Sequence, residues 1–339
     1  MKGLADRINA PVSVPYPGAH LGLRWRPLIA SDAPGIYDLC VRTEAIDQAI
    51  YRTSAMEIAD MLEGPRGRDV IDTIVGLDPD RKIAAFASVR VMRDVQESAM
   101  ANIEAVVDPQ WRGRGIGRSL LYWQDGRARQ MLVDTFGADC TRPASIVNFV
   151  DSHMTDRRRL CIAAGFSAKR SFQVMYRELE GSEEAPHISS EYTLRKWDQV
   201  DRRIVRGAHM EVFLDHYGTP LRGRWWNEAM STVDDRWSSV LTDKSGEIVA
   251  YCLVGRPAES WVATGRPEAY VELLGVRREH RGHHLATQLL NVAIASAART
   301  GVSRIGLDVD TKSANHAHEM YERLGFVDDR AEVLYSIDC

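Results

Sequence analysis

The sequence predicts two tandem α/β domains built on one layout, and three observations carry that reading. First, an apolar run, Ile103 to Val107, and a turn at Asp108-Pro109 lead into Arg112-Gly113-Arg114-Gly115-Ile116-Gly117-Arg118, and helical periodicity at Ile116, Leu120 and Trp123 follows. Strand, glycine-rich turn and helix make an anion cradle. The N–H groups at a helix start lack intrahelical partners, the helix dipole adds positive character there, and glycine lets backbone approach a phosphate closely. Second, the order of elements recurs: Arg112 to Arg281 is 169 positions, Arg26 to Arg195 is also 169, and Gly165-Phe166 to Gly325-Phe326 is 160. A shared spacing with one later shortening is the mark of duplication. Third, Glu180 to Ser190 is polar, acidic and contains a proline, which reads as a linker.

In chain order, residues 1–20 carry three prolines and are expected to form an extended arm. Leu21 to Leu28 reads as a strand. Asp32 caps a helix to about Ile46 with Pro34 in its first turn, and Ser54-x-x-Glu57 is a capping box for a second helix, stopped by Gly64-Pro65-Arg66-Gly67. Val70–Leu77 and Ile83–Met92 are strands joined by a turn at Asp78-Pro79-Asp80, and Met100–Val107 is the strand entering the glycine turn. A helix runs from Gly115 to about Val133, Asp139–Val147 is weakly strand-like, Asn148–Ala164 is helical, and Gly165 to Leu179 closes the first half. The second half follows with a strand at Tyr192–Trp197, a helix at Val200–Phe213, a tryptophan-rich helical region at Tyr217–Arg236, and strands at Ser238–Thr242, Ile248–Val254 and Ala269–Val276. Next come the basic turn Arg281-Gly282-His283-His284-Leu285-Ala286 and an amphipathic helix with Leu285, Leu289, Val292, Ala293 and Ser296 on one face. Arg304–Val309 is a strand, Ala314–Leu324 a helix, and Gly325-Phe326 opens the last strands.

Composition bounds the function. The chain has 339 residues, 45% hydrophobic and 27% charged, which suits two globular domains. A net charge of −4 gives no reason to expect a nucleic-acid partner. Five widely spaced cysteines without a CxxC pair fit reduced thiols in the cytoplasm and give no support to a metal site; the paired histidines His283 and His284 diverge at a helix start. No run reaches the roughly 20 apolar residues that span a bilayer.

These residues resemble the GNAT acetyltransferase superfamily, whose acetyl-CoA loop reads Arg/Gln-x-x-Gly-x-Gly/Ala. Arg112-Gly113-Arg114-Gly115-Ile116-Gly117 fits in full, while Arg281 to Ala286 fits except at its first required glycine, where His284 stands. Asn315-x5-Tyr321-Glu322-Arg323-Leu324-Gly325-Phe326 also looks like the family. The resemblance covers residues 21–179 and 191–337 and is of the tandem type, similar to mycothiol synthase-like proteins, whose C-terminal half is the transferase. It implies a mixed, mostly antiparallel central sheet flanked by helices in each of two domains, 21–179 and 191–339. It implies acetyl-CoA as co-substrate, no metal, a small amine as acceptor, and a monomer or homodimer. Both loops and Asn315 would hold CoA.

Acyl transfer to an amine needs a held pyrophosphate, a polarised thioester carbonyl, a deprotonated amine and a proton for the leaving thiolate. The resemblance implies that the carbonyl meets a free backbone N–H around Leu274 or Gly275, with Leu274 and Val276 along the acyl-CoA. Glu272 is the candidate base, because burial can tune a carboxylate upward, and Tyr321 the candidate acid. Alternation along the strand leaves the face of Glu272 open. Both halves have a strand carboxylate, Glu104 and Glu272, but the position matching Tyr321 in the first half is Cys161. The second half is therefore expected to carry the chemistry. Turnover in the first half and a non-catalytic acyl-CoA-binding module are the alternatives. His284 matters only if its position requires positive φ. Asp234-Asp235 would suit a cationic amine, and Trp225, Trp226, Trp237 and Trp261 either line an acceptor cleft or pack.

Overall fold

The computed structural model describes residues 2–62, 69–93, 98–213, 223–312 and 317–339. The expected stop at Gly64–Gly67, the start of the tryptophan-rich region and Asn315 lie outside them. The chain forms two compact units, residues 1–171 with 331–339, and residues 172–330.

In the first unit, α1 (Leu4–Ile8) precedes β1 (Arg24–Pro27), α2 (Ala33–Asp47), α3 (Ala55–Leu62), β2 (Val70–Leu77), β3 (Ile83–Met92), β4 (Ala99–Val107), α4 (Ile116–Phe136), β5 (Ala144–Asp151) and α5 (Thr155–Ala163). The chain continues through β6 (Ser167–Glu178) into the second unit. There follow β7 (Thr193–Lys196), α6 (Arg202–Val212), α7 (Gly223–Thr232), β8 (Ser239–Thr242), β9 (Ile248–Gly255), α8 (Ala258–Thr264), β10 (Glu268–Val276), α9 (Leu285–Ala298), β11 (Arg304–Asp310), α10 (Ala317–Arg323) and β12 (Val327–Asp338).

Each sheet is antiparallel except at one pair. In the first unit the order is β1-β2-β3-β4-β5-β12, parallel only between β4 and β5; in the second it is β7-β8-β9-β10-β11-β6, parallel only between β10 and β11. The strand that closes the first half of the sequence thus pairs with β11, and the last strand of the chain pairs with β5. The repeat places the division at the linker 180–190, whereas the compact units divide inside β6 and β12, at 171/172 and 330/331.

Three elements differ from expectation. Residues 148–151 are strand, not helix: β5 runs to Asp151, because Ile146 and Val150 point into the core and the stretch pairs with β12 from Glu332↔Asp151 to Asp338↔Ser145. β-branched and aromatic residues on a half-buried pleat outweigh a weak helical pattern. The N-terminal arm is not simply extended: it contains α1, whose Leu4 and Ile8 are fully buried, and Arg129 and Gln130 of α4 bond the carbonyls of Ile8 and Pro11. The short helix α8, which begins after Pro257, has no counterpart in the sequence pattern.

Helices cover both faces of each sheet. In the second unit, α9 packs with Ala250, Cys252 and Val254 on one face, and α6 and α7 pack with Tyr251 and Leu253 on the other. Of the tryptophans, Trp226 and Trp237 are core, and Trp261 donates to the Glu268 carbonyl, so these three pack. The side chain of Trp225 lies outside the described residues. Among the described residues no helix is long and apolar enough to cross a membrane.

Candidate active site

The two glycine-rich turns have the same construction. Arg112 Nε donates to the Val107 carbonyl at 3.1 Å, and Arg281 Nε to the Val276 carbonyl at 3.2 Å. The arginine therefore braces the strand end beneath each loop. In the first unit Asp47 also clasps the Arg112 guanidinium through two bonds of 2.6 and 2.8 Å. Gly113 and Gly115 take φ of +76° and +86° before α4, and Gly282 takes +83° before α9, with open space around Gly113 and Gly282. His283 is exposed, Ile116 and Leu285 turn into the core, and Gly117 and Ala286 stand at the second helical position. Beside the first loop lies a cavity of about 520 Å³ lined by His20, Gly22, Arg114, Gly115, Arg118 and Ser119. Arg114 stacks over Trp111 at 4.4 Å.

His284 has φ +57° and ψ +22°, so its position does require the left-handed region that Gly115 occupies in the first loop. A β-carbon there costs about 1–2 kcal/mol, and histidine is among the residues that tolerate it. His284→Val, which adds a β-branch, is expected to lower stability by about 1–2 kcal/mol in urea unfolding, while His284→Gly is not.

The parallel pairs open into clefts. β10 and β11 pair from Glu268↔Arg304 to Tyr270↔Gly306 and no further, and β4 and β5 pair from Ala99↔Ala144 to Asn102↔Val147 and no further. Beyond those points the paired strands part. Backbone from Leu274 to Val276 pairs with β9 on its other side, and these residues follow the opening.

Alternation from Ala269 and Val271 puts Glu272 on a definite face, and a bulge sets Leu273 beside it. The β9–β10 register shifts between Val271 and Leu273. Ala269 and Val271, then Leu274 and Val276, face α9, while Leu273 faces α6 and α7. A bulge sets two neighbouring residues on one side. Glu272 therefore shares the α6–α7 face with Leu273, and its Oε1 accepts from the Thr232 hydroxyl at the end of α7 at 3.0 Å. Gly255 makes the room: a Cβ there would collide with the Glu272 carboxylate and come within 2.8 Å of the Thr232 hydroxyl oxygen. Burial pushes the Glu272 carboxyl up to about 7; the Thr232 hydrogen bond opposes this and Asp308 adds to it.

The first unit lacks that bulge. β3 and β4 pair in unbroken register from Ala85↔Val107 to Met92↔Met100. Ala85 and Arg90 on β3 face Val107 and Asn102, five residues apart on β4; Ala250 and Gly255 on β9 face Val276 and Tyr270, six apart on β10. The second copy thus holds one inserted residue at the bulge. Glu104 keeps part of its side chain open to solvent at the first cleft, and desolvation by the surrounding protein, with Glu57 and Glu44, raises its carboxyl against Arg90 and Arg157.

Tyr321 and Cys161 are equivalent by backbone geometry, since Phe326 N–H donates to the Tyr321 carbonyl and Phe166 N–H to the Cys161 carbonyl, each at 3.0 Å. Tyr321 is 8% exposed and packs near Phe326, and burial raises its phenol, with Asp308 and Cys252 adding to the effect. Among the described residues its hydroxyl has no hydrogen-bond partner. Cys161 is buried, its thiol raised by burial, with Asn148 Nδ2 at 3.6 Å from the sulfur.

The structure removes one expectation and adds residues the sequence did not single out. Asp234 is not free for a cationic ligand: Arg236 and Arg256 bond it and hold its carboxyl down at about 2, and Asp235 pairs with Arg202. Thr232, Gly255, Tyr270 and Asp308 surround Glu272 instead. Their signal is three-dimensional, because only the parallel register brings β11 alongside β10.

With the geometry in place, comparison with known proteins is informative. A profile of the Acetyltransferase (GNAT) family matches residues 202–326. A mycothiol acetyltransferase of Thermobispora bispora is 26% identical over 238 residues, covering 68% of this chain and 74% of that protein. The crystal structure of a GCN5-related N-acetyltransferase from Sphaerobacter thermophilus superposes with a TM-score of 0.72 at 25% identity, covering 96% of this chain and 97% of that one. A tandem GNAT protein from the clavulanic acid biosynthesis pathway superposes at 0.68 and 17% identity, over 93% of this chain and 98% of its own, and shares the fold. Residues 202–326 thus match the acetyltransferase (GNAT) family, and the chain as a whole has the fold of tandem GNAT proteins and is similar to mycothiol acetyltransferases.

Proposed function

We propose that the chain transfers an acetyl or other short acyl group from CoA to a primary amine, and that the second unit carries the chemistry. The observation that supports this most is the place of Glu272, its carboxyl near neutrality, on the α6–α7 side of the splayed strands beside Thr232, while Tyr321 packs with the α9 side. The exposed cradle from Arg281 to Ala286 at the start of α9 suits a pyrophosphate: its N–H groups are held open by Gly282 and His284, and Arg281 fixes the strand end beneath it. Acyl-CoA would supply an activated thioester carbonyl when bound.

Glu272 takes a proton from the attacking amine, directly or through a water, as nitrogen bonds to the carbonyl carbon. Backbone N–H near Leu274 stabilises charge on the carbonyl oxygen. The C–S bond breaks and Tyr321 gives its proton to the sulfur, leaving an amide and free CoA. The first unit serves as a CoA-binding partner without turnover. It keeps a regular glycine loop but has no bulge, and Cys161 stands where the phenol would be.

Free-CoA release with a panel of deacetylated mycothiol, glucosamine and cysteamine tests the reading. At least one amine is expected to be acylated, and Tyr321→Phe is expected to lower its kcat about 10²-fold. CoA binding without turnover on any amine would favour a binding module, and an unchanged rate in Tyr321→Phe would remove the acid from the mechanism.

A further inference from the structure

Asp308 is the residue with the clearest place and no role so far. Ile305, Leu307 and Val309 of β11 face α9, so Gly306 and Asp308 face the α6–α7 side. Tyr270 lies between Ala269 and Val271, which also face α9, and therefore shares that side. The last parallel pair is Tyr270↔Gly306; two residues further along each strand, on one face, come Glu272 and Asp308. They look at each other across the opening of the cleft. Tyr270 hydroxyl donates to Asp308 Oδ1 at 3.1 Å and fixes that carboxylate. Gly306 leaves the room that the Tyr176 and Tyr270 rings fill, since a Cβ there would strike the Tyr176 ring and approach Tyr270.

Three observations point to a cationic ligand. Among the described residues no arginine, lysine or histidine pairs with Glu272 or Asp308, so these two facing carboxylates have no counter-charge there. The hydroxyl of Tyr321, on a side chain 8% exposed, has no hydrogen-bond partner among the described residues, and the charge of Asp308 reaches its phenol. The first unit does not reproduce the pair: its last parallel pair is Asn102↔Val147, so the residue across from Glu104 is Phe149.

We propose that Asp308 is the positioning residue for the acceptor, seating its ammonium group opposite Glu272, so that the substrate class is a primary alkylammonium with no anionic group beside the amine. The inference rests on the assignment of chemistry to Glu272 in the second unit and names what that site takes up. Asp308 holds the cation through a charge-assisted hydrogen bond and Glu272 receives the proton, so the two carboxylates divide binding from catalysis. A free carboxylate beside the amine would meet both and be repelled.

Saturation-transfer NMR of the full chain loaded with CoA tests this, using n-butylamine as the probe and n-butanol as its neutral counterpart. The wild type is expected to bind butylamine and to bind butanol at least tenfold more weakly. Asp308→Asn is expected to weaken butylamine about tenfold or more while leaving butanol and CoA unchanged, the loss fitting one hydrogen bond to a charged group. Asp308→Glu, which restores the charge, is expected to recover part of the affinity. Equal butylamine binding by wild type and Asp308→Asn, or butanol binding as tight as butylamine, would overturn the proposal, as would no butylamine binding to the wild type. The parent reading fails separately: Glu272→Gln with undiminished turnover would remove the base while leaving the Asp308 result intact.

Discussion

Glu272→Gln is expected to lower kcat/KM for the amine by about 10²–10⁴-fold, the range for a positioned general base. The substitution keeps the shape and can keep the bond to the Thr232 hydroxyl, so the loss reports the missing proton acceptor. Glu272 shares the α6–α7 face with Leu273, beside Thr232, as Glu104 shares the α2–α3 face with Val106; the bulge in β10 adds a neighbour on that face. Steady-state CoA release checks the size of the loss. A loss below threefold would mean that proton removal is done elsewhere.

Ala286→Asp is expected to raise the KM for acetyl-CoA by about 10²-fold or more. Ala286 is the second residue of α9, where an aspartate complements the helix dipole and the fold is retained. The same carboxylate would lie against the pyrophosphate, and like charges in contact cost several kcal/mol. Gly117→Asp makes the same change in the first loop, where the new side chain meets only the end of Leu160, 3.4 Å from the Cβ. It is expected to leave kcat/KM within about threefold if, as proposed, the first unit does not turn over. A larger effect at Gly117 than at Ala286 would transfer the chemistry to the first unit.

Much of the frame was legible in the sequence because it rests on local rules. The glycine turns, the capping box at Ser54-x-x-Glu57, now made by bonds between the two side chains and the two backbone N–H groups, and the equivalence of Cys161 with Tyr321 all follow from residues close together in the chain. What was not legible is set by pairing across distance. The equal spacing of 169 at the two arginine pairs conceals unequal offsets between, since Ala250 stands 165 positions after Ala85, Tyr270 stands 168 after Asn102 and Val276 stands 169 after Val107. The last step of one residue is the bulge that sets Leu273 on the same face as Glu272. Asp308 reads in sequence as one polar residue in an alternating strand, and only the parallel register brings it opposite Glu272. The closing strands β6 and β12 pair outside the sequence half that encodes them, and no local pattern announces that. The left-handed backbone at His284 was visible only as a question raised by the glycine it replaces.

The most direct measurement of where the acyl group moves is kcat/KM against pH for the wild type, Glu104→Gln and Glu272→Gln, measured together on one amine. Glu272 must be ionised to accept a proton, and its carboxyl is raised to about 7. Activity should therefore fall as pH drops through about 7, on top of any contribution from the amine itself. The wild type and Glu104→Gln profiles are predicted to superpose on this acid limb, and Glu272→Gln to be low and to lack it. An acid limb that persists in Glu272→Gln and disappears in Glu104→Gln would contradict the assignment of chemistry to the second unit.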